Sequence, residues 1–368
     1  MPVFSPHQEA ALKAVADWLK GKPGHGERQI FRLFGYAGTG KTTLAKHIAQ
    51  HADGKVAFAA FTGKAALVMR AKGCEGASTI HSLIYRARES GEEIPSFDLW
   101  DEAPASKAKL IVIDECSMVD AELGRDLKSF GVPLLVLGDP AQLPPIAGGG
   151  FFTDAEPDVM LTEVHRQARD NPIIRLSMEV REGNRLSPGD HGATQVIARD
   201  DLDPQRVIAA DQVLVGRNAT RRAYNARMRE RRGFSEALPM AGDKLVCLRN
   251  NRRKGLFNGG LWQVKQRPTT RREILKMHLL PDESIGSKGI KVSVRQECFA
   301  GGIDALEWPQ RKKYEEFDYG YVLTVHKAQG SQWDDVVLFD ESFAFPDSRA
   351  RWLYTGITRA AKTLTVVV

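Results

Sequence analysis

The sequence has no apolar run of the roughly eighteen residues that a membrane-spanning helix needs, and its opening residues carry no secretory pattern. No membrane partner and no export are therefore expected. Cysteine is scarce: Cys74, Cys116, Cys247 and Cys298 stand far apart with no CxxC pair. That spacing argues against a disulfide framework or a cysteine-held zinc, and fits reduced thiols in a cytoplasmic setting. No internal repeat and no low-complexity stretch is present. What is there suits a folded protein: 42% apolar and 27% charged residues exclude a disordered or fibrous chain. The 368 residues make room for two or three domains. Lys and Arg exceed Asp and Glu by 52 to 46, a net charge of +6 that is compatible with a nucleic-acid partner without requiring one.

Short β-branched runs alternate with helical patterns. The clearest are residues 31–35, 56–61, 110–114 and 134–138, then 213–215, 321–325, 336–339 and 364–368. Continuous apolar runs of this length suit strands covered on both faces, as in a parallel sheet. Two such groups predict two α/β units, residues 1–160 and 161–368. Residues 84–107 are polar and turn-rich and predict a small hairpin excursion from the first unit. Residues 242–317 alternate short strands around Asn258-Gly259 and predict an antiparallel β insertion in the second.

The stretch GYAGTGKTT, residues 35–43, follows a strand pattern and precedes a helical one, which is the context of a phosphate-binding P-loop. Gly35, Gly38 and Gly40 let backbone N–H groups curl around phosphate oxygens. Ala37, Thr39 and Thr43 complete the nucleotide-binding stretch, and the helix beyond points its positive end at the same phosphates. Lys41 is expected to reach the β- and γ-phosphates, and the Thr42 hydroxyl to hold Mg²⁺. Asp114 and Glu115 end the apolar run LIVID-E: Asp114 suits the Mg²⁺ shell, Glu115 the deprotonation of an attacking water. At a third strand end, GDPAQLPPI, Asp139 and Gln142 either sense the γ-phosphate or simply occupy a proline-rich turn. Gln8 either reads the edge of adenine or closes a capping box with Ser5. Arg221, Asn225 and Arg229 share one helical face, read equally as a DNA-facing ridge or a solvated basic face.

In order along the chain, FSPHQEAAL, GYAGTGKTT, FAAFTGKAA, ASTIHSLI, IDECSM, GDPAQLPPI, LTEVHRQ, VLTVHKAQGSQW and YTGITRA resemble the motif series of superfamily 1B helicases, the RecD-like and Dda-like enzymes. The resemblance implies two RecA-like P-loop NTPase domains (1A and 2A) with ATP and Mg²⁺ between them. Gln142 then couples to the γ-phosphate, Arg166 and Arg359 act as arginine fingers from the second domain, and Gln329 and Gly330 lie near the nucleotide. It also implies single-stranded DNA crossing both domains, over Thr62, Lys64, Thr79 and His81 in the first and Asn218, Thr324 and His326 in the second. Hydroxyls and amides suit contacts to a sugar-phosphate chain, which presents the same acceptors at every step.

Residues 84–107 take the place of the strand-splitting 1B pin, with Phe97 and Trp100 as candidates for base stacking or for core packing. Residues 242–317 resemble an SH3-like 2B domain, and Phe61 stands where this family usually has proline. The activity implied is ATP-driven translocation on single-stranded DNA, 5′→3′, with unwinding of duplex. Two other readings are a translocase that strips bound proteins but unwinds weakly, and an ATP-gated binding subunit without turnover. The implied partners are single-stranded DNA, its junctions with duplex, and single-strand-binding, replication, repair or recombination proteins. The implied setting is a bacterial or phage-infected cytoplasm, with the chain acting as a monomer. Backbone contacts alone leave RNA open.

Overall fold

A computed structural model describes residues 4–24, 26–87, 97–144, 150–164, 170–249, 251, 254, 256, 258–282, 289–301 and 306–368, leaving out the side chains of residues 27, 87 and 97. Two parallel sheets form the frame. The first runs Ser78–Thr79, Val56–Ala60, Leu110–Asp114, Leu134–Gly138, Ile30–Gly35, Val159–Leu161, every neighbouring pair parallel. Side chains along its strands alternate between two cores. Leu110, Val112, Leu135 and Leu137 enter one, while Ile111, Ile113, Leu134 and Val136 enter the other. Because successive side chains point to opposite faces, a strand buried on both must be apolar at every position. That is why these runs read as unbroken.

The second sheet repeats the design in the order Val322–Thr324, Gln212–Val215, Trp333–Phe339, Ala360–Val367, Thr194–Ile197, Gly189–Asp190, parallel except for its last pair. Val159–Leu161 and Thr194–Ile197 had no signal of their own. The first has only three residues, and the second alternates buried with more open positions. The third sheet is antiparallel and spans Lys244 to Tyr319. Its Leu245, Trp262, Leu275 and Phe317 share one core with Val213 and Val337 of the second lobe, so the insertion is welded to its host. Residues 85–87 and 97–99 pair as a short antiparallel ribbon, and Trp100 beside it packs against the first lobe's core.

The helix Asn218–Arg231 corrects both readings of its arginines. Arg221, Asn225 and Arg229 are 5%, 2% and 6% exposed, so the face they share points inward. Arg229 pairs with both oxygens of Asp243, at 2.9 and 3.0 Å, and donates to Glu236 O and Leu238 O. Arg221 donates to Asp318 at 2.6 Å, and Asn225 exchanges hydrogen bonds with the Val322 backbone. Asp318 lies in the last strand of the inserted sheet and Asp243 directly precedes its first, so these charges fasten it to the lobe. Removing one partner of a buried pair strands the other charge away from water, which costs about 3–5 kcal/mol. Asp243→Ala is expected to lower unfolding stability by about that much in urea titration. A loss under about 1 kcal/mol, the range of surface ion pairs, would contradict the buried-anchor reading.

Candidate nucleotide site and nucleic-acid interface

Strand Ile30–Gly35 runs into a loop that turns at Gly38 and Gly40, with φ of 79° and 83°, before the helix Lys41–Gln50. L-residues with a Cβ resist that left-handed region, which glycine enters freely. Gly35 is glycine for a different reason: a Cβ there would stand 2.6 Å from Thr39 Oγ1 and 2.7 Å from Leu161 Cβ. Lys41 Nζ donates to Gly35 O and Tyr36 O at 2.6 and 3.1 Å, so the ammonium folds back over its own loop. Gln8 closes the capping box with Ser5 and also donates from Nε2 to Thr39 O at 3.0 Å. Its carboxamide thus braces the phosphate loop from behind and is not among the residues lining the cavity.

Thr42 Oγ1 donates to Asp114 Oδ2 at 3.0 Å, and the Glu115 N–H donates to Asp114 Oδ1 at 2.9 Å. Burial and the neighbouring Glu115 carboxylate push Asp114 above the usual carboxylate range, against the pull of Lys41. A buried carboxylate held high, beside a hydroxyl, is a hard-oxygen pair that a divalent cation would stabilise, and in that respect the residues fit Mg²⁺. Glu115 sits at φ 53°, a left-handed conformation rare for a side chain of its kind. Backbone held in such a region is concentrated at functional sites.

These groups line a cavity of about 340 Å³ together with Asp139 and Gln142, and its opposite wall belongs to the second lobe: Gly330, Ser331, Gln332, Thr358 and Arg359. Gln142 is 7% exposed, and its Oε1 has no hydrogen-bond partner among the described residues. The Arg359 guanidinium, also buried, donates to three neutral oxygens, those of Thr355 O, Ser331 O and Thr358 Oγ1, at 3.0 to 3.2 Å. It therefore reaches the cavity wall with its charge unmatched by those partners. Arg166 lies outside the described residues.

A second cavity of about 680 Å³ also lies between the lobes. Thr62 and Lys64 face Asn218, Thr324 and His326 across it, and Phe61 and Phe345 add aromatic surface. Lys64 is nearly buried, its ammonium 4.2 Å from the centre of the Trp333 ring. Thr79 and His81 are not in this lining. Thr79 caps the helix Ile80–Ile84, and the His81 ring stands between Phe61 and Tyr85. Thr62 and Thr324 are helix caps too, accepting from the Ala65 and Lys327 N–H groups, so for them capping and cavity lining coexist. The Phe97 side chain is outside the described part. Burial lowers the His326 pKa from its ordinary value.

The two cavities share a wall. Gln329 lines the second, Gly330 and Gln332 the first, and Ser331 both. Gln329, expected beside the nucleotide, instead donates to Leu143 O at 2.9 Å from the other side of that wall. At Gly330, with φ +73°, a Cβ would stand 3.0 Å from Thr62 Oγ1 and 3.1 Å from Ala65 Cβ. Only glycine lets the lobes approach this closely here. Tyr354 opens the YTGITRA motif, but the sequence assigned it no role; its hydroxyl accepts from the Ala37 N–H at 2.8 Å and donates to Asp139 Oδ2 at 2.6 Å, joining the lobes at the mouth of the phosphate loop.

A family model described as an AAA domain matches residues 4–199, more than half of the chain, and one described as a UvrD-like helicase C-terminal domain matches residues 319–367. The chain belongs to the superfamily 1B helicase family. Among this family's members, the ATP-dependent RecD2 DNA helicase of Deinococcus radiodurans is 28% identical over 375 residues, covering 94% of this chain and 47% of that protein. The ATP-dependent DNA helicase dda of Enterobacteria phage T4 is 31% identical over 191 residues, covering 48% of this chain and 42% of that protein. The chain spans about half the length of the curated relatives it matches. The crystal structure of Bacteroides Pif1 bound to single-stranded DNA shares the fold, with a TM-score of 0.59 at 16% identity, over 100% of this chain and 93% of that one. The superfamily 1B fold, two RecA-like lobes, is thus the one described above.

Proposed function

We propose that the chain is an ATP-driven motor that moves along single-stranded DNA with 5′→3′ polarity and separates duplex ahead of it. One observation carries this reading: the nucleotide cavity is walled by both lobes, and the segment Gln329–Gln332 separates it from the second cavity, with Ser331 lining both. A ligand in either cavity then biases the lobe spacing felt by the other. The named activities of the RecD2 and dda relatives support the same reading.

In the hydrolytic step, Lys41 leaves its carbonyl partners for the phosphates, and the loop N–H groups hold the β-phosphate. Glu115 takes the proton of the attacking water, whose position Gln142 fixes through its side-chain oxygen, which has no partner among the described residues. Thr42 and Asp114 would hold Mg²⁺, which supplies charge neutralisation across the phosphate oxygens. Arg359, arriving from the opposite lobe, offsets the charge that builds on the transferred group. Closing and opening the seam alternates the grip of Thr62 and Lys64 against that of Asn218, Thr324 and His326 on the strand. The cytoplasm is the setting this reading implies.

Partial duplexes decide it. A duplex with a 5′ single-stranded overhang is expected to be unwound in ATP and one with a 3′ overhang left intact. Resistance of the 5′ substrate, with a bound protein block still displaced, would favour the protein-stripping reading. An RNA overhang in parallel tests whether the 2′-OH is accepted.

His326 adds a pH signature. Its depressed pKa keeps the ring neutral near pH 7, and a phosphate nearby favours the charged form. Affinity for single-stranded DNA is therefore expected to rise as pH is lowered from neutral, with proton uptake on binding. His326→Gln should flatten that rise in fluorescence anisotropy titrations; an identical pH profile for the variant would exclude His326 as the group responsible.

A further inference from the structure

The segment from Asp139 to Leu143 follows the strand Leu134–Gly138 in the first lobe, yet its polar groups are met largely by the second. Tyr354 Oη donates to Asp139 Oδ2 at 2.6 Å. The Leu143 N–H donates to Thr355 Oγ1 at 2.9 Å, and Gln329 Nε2 donates to Leu143 O at 2.9 Å. All these side chains are buried, Tyr354 at 1% exposure. Between the two anchored ends stands Gln142, its Oε1 without a partner among the described residues, at the nucleotide cavity. Tyr354 has a second hold, since its hydroxyl accepts from the Ala37 N–H of the phosphate loop at 2.8 Å. One phenol thus ties three things together: the phosphate loop, the segment carrying Gln142, and the helix Arg349–Ile357 that leads to Arg359.

We propose that Tyr354 is a positioning residue for ATP hydrolysis, whose hydroxyl reports closure of the lobes to the phosphate loop and to Gln142. The proposal rests on the ATPase reading above and deepens it. Its physical basis is directional. A phenol donates one proton and accepts at its oxygen, so it can bridge the acceptor Asp139 and the donor N–H of Ala37 at once. The bridge forms only while the helix Arg349–Ile357 lies against the first lobe. While the lobes are together the bond is buried, where deleting its donor leaves an unmade hydrogen bond that is costly; when they part, Asp139 exchanges the phenol for water. The segment through Gln142 then has no fixed end on the second lobe. Asp139, already raised above the ordinary carboxylate range mainly by burial, is held down in part by this same bond.

The test is Tyr354→Phe, which keeps the ring and its packing and deletes only the hydroxyl. The kcat of DNA-stimulated ATP hydrolysis is expected to fall about tenfold, the worth of one well-placed buried hydrogen bond, with KM for ATP nearly unchanged. A purely structural role would lower the melting temperature and leave the kcat of the folded fraction intact. Combining Tyr354→Phe with Gln142→Ala separates the two further. If Tyr354 acts through Gln142, adding Tyr354→Phe to Gln142→Ala costs little more, whereas independent effects multiply. A wild-type kcat for Tyr354→Phe, or full multiplicativity in the double variant, overturns the proposal. Lys41→Ala serves as the control for the underlying reading. If that variant still hydrolyses ATP, the P-loop assignment has failed and not the Tyr354 bridge.

Discussion

Glu115→Gln is expected to abolish turnover while ATP still binds. The carboxylate stands at the cavity beside Asp114, on backbone held at φ 53°, and amidation removes its basicity with hardly any change of shape. General-base catalysis contributes about 10²- to 10⁴-fold, so kcat should fall by about that factor, with KM or a measured nucleotide affinity moving far less. The variant should also trap the closed arrangement of the lobes on single-stranded DNA, because ATP that is not cut keeps the seam occupied. Steady-state ATPase alongside equilibrium binding of a fluorescent ATP analogue reads both effects. Loss of binding in step with loss of turnover would mean that Glu115 shapes the pocket and performs no proton transfer.

Arg359→Ala carries the second large effect, for a different physical reason. A guanidinium delivered to a phosphoryl-transfer centre from a moving element is worth about 10³- to 10⁵-fold in kcat. Arg359 has the placement for it: buried, on the second lobe's wall of the cavity that Lys41 lines from the first, and bonded to neutral oxygens it can exchange for phosphate. Arg359→Lys keeps a charge but loses the planar fork, and should recover only a small part of the rate. Binding of ADP should survive both substitutions, because charge matters most where the γ-phosphate develops it. Near-normal kcat in Arg359→Ala would remove the second lobe from the chemistry.

Much of the frame was legible because its signals are local. A strand buried on both faces has to be apolar at every position, so 110–114 and 134–138 declared themselves. A phosphate loop needs its glycines in fixed places, so residues 35–43 did too. What could not be read depended on partners distant in sequence. The spacing of Arg221, Asn225 and Arg229 defines one helical face, but which way it points is settled by Asp318 and by Asp243. The motif resemblance put Gln329 beside the nucleotide, whereas the bond to Leu143 O holds it on the other side of the shared wall. Tyr354 entered only as the first residue of YTGITRA, with no role of its own. Its function as a bridge exists only once two lobes meet, and no periodicity within either lobe encodes that.

On the proposed reading, hydrolysis occurs at a seam whose state a nucleic-acid strand controls through the wall at Gln329–Gln332. Steady-state ATPase of the whole chain, with and without saturating single-stranded DNA, tests it most directly. The rate is expected to rise manyfold with DNA and to vanish in Lys41→Ala under both conditions. An unchanged rate on adding DNA, or turnover that survives Lys41→Ala, would contradict it.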